Sequence, residues 1–254
     1  MLTLEMSYEN GEAQLVLSAL NQSATVADLL EAMQQATDDA VVIKPLLQTR
    51  YGVCAGCRSN CCHHYDITPD YLAVRRLADK QQLDLPAFAA KWLDMSENLP
   101  FPQWKKHPCP FLKEELCTVY QERALICRLY LCTPMGDSLE KLRCAVSLMG
   151  EGALRLMLVR AGIAPKGWSY RALADDLKLR LRQGDLTRAH YEDEMEQLHI
   201  MAERNPFLLA EDYSEIRLAD CCTDDFWATL PVQKQEIDSG LPMFPRIKVR
   251  SDVI

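Results

Sequence analysis

The chain opens with two runs in which apolar and polar residues alternate. Leu2, Leu4 and Met6 take turns with Thr3, Glu5 and Ser7, and Ala13, Leu15 and Leu17 repeat the alternation. A period of two puts one apolar face on a strand. Between the runs, Asn10-Gly11 accepts positive φ in a tight turn, so residues 2–18 are predicted to form a hairpin. From Thr25 the period lengthens. Val26, Leu29, Leu30 and Met33 line one side of a helix that Thr25 and Asp28 can cap reciprocally. The apolar run "AVVIKP" at 40–45, closed by Pro45, is predicted as a third strand. Residues 1–45 therefore read as a small β-β-α-β unit, separable from the rest.

Beyond it the pattern is mainly helical. Thr68-Pro69 is predicted to cap and start a helix carrying Tyr71, Val74, Leu77 and Ala78. Phe88 and Trp92 share a face of the next helix, and Leu139, Leu142 and Val146 mark another. Tyr170, Leu173 and Leu177 follow Ser169 on a helix that Gly184 should end. A polar-rich helix is predicted from 187 to 204, stopping before Asn205-Pro206. Pro231, Pro242 and Pro245 predict an extended tail. The expected fold class is α+β, mostly helical. The N-terminal β-β-α-β unit is followed over 46–254 by a helical cysteine-rich metal-binding domain with C-terminal helices.

Composition changes this picture only where it touches partners and redox state. A formal net charge of −8 argues against a broad grip on nucleic acid. The first residues carry Glu5 and Glu9 and lack the basic start and apolar block of a signal peptide. No run reaches the ~18 apolar residues of a membrane span. A cytoplasmic chain with a protein partner, no nucleic acid and no membrane is expected. Thiols stay reduced in that compartment, which favours metal over disulfides for the cysteines.

Those cysteines carry the chemistry. Eight of the 11 fall between 54 and 132. The first half is Cys54-x2-Cys57-x3-Cys61-Cys62, with Gly52 and Gly56 giving the freedom a metal knuckle needs. The second is Cys109-x7-Cys117-x9-Cys127-x4-Cys132. Helices separate the halves, so one site would have to close by tertiary contact. Cys132 and Cys144 read as small core residues, and Cys221-Cys222 as a partly buried structural pair or, alternatively, as further ligands from the C-terminal region. His63 and His64 are candidate ligands, although beside a cysteine pair such histidines more often face solvent or support the ligands.

These motifs resemble the YkgJ-type cysteine-cluster family, which is catalogued as zinc- or iron-chelating. "CAGCRSNCC", the following "ITPDYLAVRRLA", and then "CPFL", "CTVY", "ER" and "CR" carry the resemblance over about 50–133. Cys54, Cys57, Cys61, Cys62, Cys109, Cys117 and Cys127 fall on the family pattern, as do Pro110, Phe111, Leu112, Tyr120, Arg123 and Arg128. The seven cysteines are the implied metal ligands. Ala124 stands where the family usually has proline, so a looser turn before Cys127 is expected. The cysteines are also similar to those of flagellin lysine N-methylases, a resemblance that implies a [4Fe-4S] cluster.

Thiolate ligands suit both zinc and iron–sulfur clusters. All-cysteine zinc sites usually pair two short two-cysteine loops, and the second half has no C-x2-C. The irregular spacing favours iron–sulfur, with zinc the alternative. Arg123 and Arg128 would offset cluster charge as supporting residues, or pair with Glu114, Glu115 or Glu122 at the surface. The radical-initiating register C-x3-C-x2-C fails, because from Cys57 it meets Cys61 and then His64. Nucleotide and hydrolase motifs are missing. "MGEGALRL" at 149–156 has two glycines before a predicted helix but no strand leading in. "YEDEMEQ" at 191–197 reads as a solvated helix face. The functions expected are redox chemistry, electron transfer or partner modification on an iron–sulfur centre. A zinc-stabilised interaction module is the alternative, and a lysine methylase-like activity rests on resemblance alone.

Overall fold

A computed structural model of the chain describes residues 2–39, 41–43, 45–46, 61–63, 65–97, 99, 101–105, 108–131, 133–233 and 248–249. Its strands are β1 (Leu2–Glu9), β2 (Glu12–Asn21), β3 (Leu93–Asp94), β4 (Gln103–Trp104), β5 (Leu112–Lys113), β6 (Leu116–Cys117), β7 (Val232–Gln233) and β8 (Lys248–Val249). Its helices are α1 (Val26–Asp38), α2 (Tyr71–Lys80), α3 (Leu85–Trp92), α4 (Leu125–Leu129), α5 (Asp137–Arg160), α6 (Tyr170–Gln183), α7 (Arg188–Glu203) and α8 (Asp224–Thr229). The fold is α+β and mostly helical. The chain forms two compact units. Met1–Arg58, Arg128–Val146 and Asp212–Ile254 make the first, and Ser59–Cys127 with Ser147–Glu211 the second. Among the described residues no helix is long and apolar enough to cross a membrane.

The first unit is built on the hairpin. β1 and β2 pair antiparallel from Leu2↔Leu20 to Glu9↔Glu12, with an irregularity between Thr3 and Leu4. Asn10 (φ 51°) and Gly11 (φ 83°) make the turn, both in the left-handed region that a two-residue hairpin loop demands. Leu2, Leu4, Leu15 and Leu20 are fully buried. The Thr25 N–H donates to Asp28 Oδ2 at 2.7 Å and the Asp28 N–H to Thr25 Oγ1 at 3.3 Å, the reciprocal cap expected for α1. Val26, Leu29, Leu30 and Met33 form its buried stripe.

The third strand is absent from the place expected. Residues 41–43 and 45–46 are helical. Asp39 captures the chain there: its Oδ1 accepts the Val41 N–H at 2.8 Å and its carbonyl the Ile43 N–H at 2.8 Å. Val42 and Leu46, four apart, are buried while Val41 is exposed, which is helical spacing. The sheet is completed from far along the chain instead. β7 joins β2 and β8 joins β1, both parallel, giving the order β7-β2-β1-β8.

In the second unit α2 and α3 pack with the later half of α5 around Val74, Leu77, Phe88, Trp104, Phe111, Leu154, Leu158 and Trp168. The cap of α2 is Asp70, not Thr68-Pro69: its Oδ1 accepts the Ala73 N–H at 3.0 Å. Trp104 and Phe111 meet edge-to-face with ring centres 5.0 Å apart, and Phe111 also touches Trp92 at 5.0 Å. "MGEGALRL" lies inside α5 rather than ahead of a helix. A Cβ at Gly150 would come within 2.7 Å of Asp70 Cβ, and one at Gly152 within 2.0 Å of Met201 Sδ. The glycines therefore serve close packing.

Arg155 is buried in this core. Its Nε donates to the Trp168 carbonyl at 2.7 Å and an Nη to the Gly167 carbonyl at 3.3 Å. Burial pulls its pKa down to about 10. α6 starts at its Ser169 cap and ends at Gly184 in the left-handed conformation (φ 80°). Tyr170 stands partly exposed at its start, while Ala174 and Leu177 carry the burial. α7 holds the acidic run, whose Glu192, Asp193 and Glu196 face solvent.

Candidate metal centre

Cys62, Cys109, Cys117 and Cys127 are all part-exposed residues of the second unit. A short 3-10 turn, Cys61–His63, carries the first. The Cys109 N–H donates to the Cys62 carbonyl at 2.7 Å, joining the two cysteine-bearing segments main chain to main chain. The Leu112 N–H then returns to the Cys109 carbonyl at 3.0 Å, closing a β-turn with Pro110 in the position proline favours. Phe111 reaches from that turn into the aromatic core. This is the physical content of "CPFL": a cysteine, a rigid turn and an anchor.

Cys117 hangs on the next hairpin. β5 and β6 pair Leu112↔Cys117 and Lys113↔Leu116. Their turn residues, Glu114 (φ 48°) and Glu115 (φ 63°), occupy the left-handed region without being glycine, which costs energy at both positions. Two contacts hold it. His63 Nε2 lies 2.9 and 3.1 Å from the two Glu115 carboxylate oxygens. The Thr118 N–H and its hydroxyl both donate to the Phe111 carbonyl at 2.9 Å. His63 thus supports the site by gripping the hairpin.

Cys127 sits on α4. The Arg123 guanidinium stacks 3.8 Å above the Tyr120 ring. Glu122 binds Lys80 Nζ at 2.7 Å, a hydrogen bond that holds the Glu122 carboxyl below its ordinary pKa. The Cys127 N–H donates to the Ala124 carbonyl at 2.9 Å, so the turn expected to be loose is closed without the family's proline. Arg123 has extended backbone (φ −57°, ψ 150°), the conformation a following proline requires. Ala124→Pro should therefore raise stability by about 0.4–1 kcal/mol through the unfolded state. A urea melt of the purified variant checks this.

The Leu125 N–H, at the start of α4, donates to Asp70 Oδ2 at 2.6 Å. Beside Asp70, burial and then the Asp70 charge push the Glu151 carboxyl up to about 8. Neither acid stands out in the sequence as part of a site, because what makes them matter is tertiary. The one local hint is Asp70 itself, an aspartate directly ahead of an apolar-periodic run.

Cys54, Cys57, His64 and Cys132 lie outside the described residues, as does the Cys61 side chain. Among the described residues no group of three or more His, Cys, Asp or Glu side chains is set to hold a metal ion. The Arg128 guanidinium lies 5.4 Å from the Tyr213 ring centre. Cys144 is exposed rather than core. The buried stripe runs through Leu139, Leu142, Ala145, Val146 and Met149, and Cys144 falls about 200° round the helix from Leu142. Its Sγ lies 3.8 Å from Glu140 Oε1.

Cys221 and Cys222 are buried, as expected. Burial pushes the Cys222 thiol up to about 12 and Cys221 upward as well. Thiolate is the ligating form, and burial disfavours it at both positions.

Cysteine-bearing turns joined to each other and anchored in a helical core define a cysteine-cluster domain. Residues 53–145 match the family model CxxCxxCC, described as a putative zinc- or iron-chelating domain. The chain is a metal-binding cysteine-cluster protein. No curated protein and no solved structure matches it. The donor chemistry fits the description, since part-exposed sulfur donors select soft or borderline metals such as zinc and iron.

Proposed function

We propose that this chain holds an iron–sulfur cluster, a [4Fe-4S] centre, and uses it in electron transfer or in modifying a protein partner in the cytoplasm. The observation that carries the reading is the set of unlike settings for the cysteines. Cys62 sits within a 3-10 turn, Cys109 opens a proline turn, Cys117 ends a hairpin and Cys127 rides a short helix. Clusters take ligands from such irregular spacings, whereas all-cysteine zinc sites favour paired short loops. Bound there, the cluster supplies one-electron chemistry. The chain's part is to hold it with thiolates drawn from Cys54, Cys57, Cys61, Cys62, Cys109, Cys117 and Cys127. Arg123 and Arg128 would offset its negative charge.

A zinc-stabilised interaction module is favoured by one feature. Leu116, 72% exposed, and Tyr120, 53% exposed, flank Cys117 and offer apolar surface beside the centre. Anaerobic purification with iron, sulfide and zinc analysis separates the readings. Broad visible absorbance that fades in air, with iron and sulfide in near-equal amounts, is expected. Colourless, folded protein from iron-replete cells with stoichiometric zinc would make it the binding module.

A further inference from the structure

We infer that Asp70 is the positioning residue that aims Cys127 at the metal, a role that rests on the metal-binding reading above. Asp70 is 1% exposed and divides its two oxygens between two helices. Oδ1 takes the Ala73 N–H of α2 and Oδ2 the Leu125 N–H of α4. The second bond, at 2.6 Å, is in the short range of charge-assisted contacts.

α4 has five residues, too few to hold their own direction. Its first turn carries amides that no intrahelical carbonyl can satisfy. Asp70 takes the leading one, and Cys127 follows two residues later. The direction in which the Cys127 Sγ leaves the helix is thus set by where Asp70 stands.

Asp70 itself stands in a slot. α2 fixes it from one side through the cap, and α5 presses from the other at Gly150, where even a methyl would come within 2.7 Å of Asp70 Cβ. Glu151, the next residue on α5, has its carboxyl pushed up to about 8 by burial and by the Asp70 charge. At neutral pH that neighbour therefore carries the proton.

The test is a double-mutant cycle on Co²⁺ affinity in the full chain, with Co²⁺ alone as probe. Asp70→Asn keeps the shape but loses one acceptor, and should weaken Co²⁺ binding about 10-fold. If Asp70 acts through Cys127, the Asp70→Asn/Cys127→Ser double variant should bind no more weakly than Cys127→Ser alone. Paired with Cys117→Ser, the loss should instead multiply. The cobalt–thiolate absorption of Asp70→Asn should also move toward that of Cys127→Ser. Should Asp70→Asn fail to fold, Gly150→Ala displaces the same carboxylate by contact and enters the cycle in its place. A loss that multiplies equally with Cys117→Ser and Cys127→Ser would overturn the inference while leaving metal binding intact. A wild-type chain that takes up no Co²⁺ would overturn the metal reading, and this role with it.

Discussion

Cys117→Ser should remove the stability that metal lends the chain. A ligand that binds only the folded state contributes about 4 kcal/mol when its free concentration stands about 1,000-fold above Kd. Cys117 ends a hairpin whose turn carries two strained glutamates, and its strands are only two residues each. Such a hairpin has little stability of its own, so the metal should contribute much of its order. Cys144→Ser, at an exposed position, should change stability by less than about 0.5 kcal/mol. Urea melts of both variants with and without a chelator provide the measurement. In wild type and Cys144→Ser the chelator should lower the midpoint, and in Cys117→Ser it should do nothing. Equal chelator sensitivity in all three would strip Cys117 of its role as ligand.

Glu151→Gln should abolish a loss of stability with rising pH. The Glu151 pKa rises from 4.5 to about 8 in the fold, chiefly through burial and then through Asp70. Between those values the folded state keeps a proton that the unfolded state has released. Stability is therefore fully present below the unfolded value and falls as pH climbs through the folded one, by about 3–5 kcal/mol in all. A glutamine cannot ionise, so the variant should lack this slope and surpass wild type most clearly at pH 8 and above. Melts at steps from pH 5 to 9 would show the two curves diverging. Parallel curves would mean that Glu151 is solvated in the folded chain.

Much of this was written locally. Alternation and Asn-Gly specify the β1–β2 hairpin, and Thr25 with Asp28 specifies the start of α1, because each signal acts within a few residues. Ser169 and Gly184 bracket α6 for the same reason. What local pattern could not reach is the remaining edge of the sheet. "AVVI" has the β-branched residues of a strand, yet the Asp39 side chain and carbonyl turn it into helix. The true partners of β1 and β2 come from residues 232–233 and 248–249, beyond any sequence window.

The candidate site divides in the same way. Its cysteines were legible from spacing alone, and "CPFL" from its turn chemistry. The groups that brace them were not. Asp70 caps α2 through a local bond to Ala73, but its second bond, to Leu125, joins residues 55 apart and leaves no local pattern. Glu115 reads as a surface acid until it meets His63. Cys144 misled because a stripe drawn from Leu139, Leu142 and Val146 does not say how wide the buried face is.

The sheet order β7-β2-β1-β8 also bears on how the chain is made. The hairpin is synthesised well before the two strands that flank it. Residues 22–231 must be synthesised before β7 can pair, and β8 comes later still. Leu15 of β2 can bond residues 134–136 midway, but the Leu20 end of β2 and the β1 edge stay unpaired until β7 and β8 arrive, and unpaired edges are templates for association with other chains. Both segments of the second unit are complete by Glu211 and can collapse while the sheet is still waiting. Translation that stalls between 211 and 231 would leave the cysteine-bearing helical unit formed and the β1 edge still bare, a natural recognition signal for chaperones.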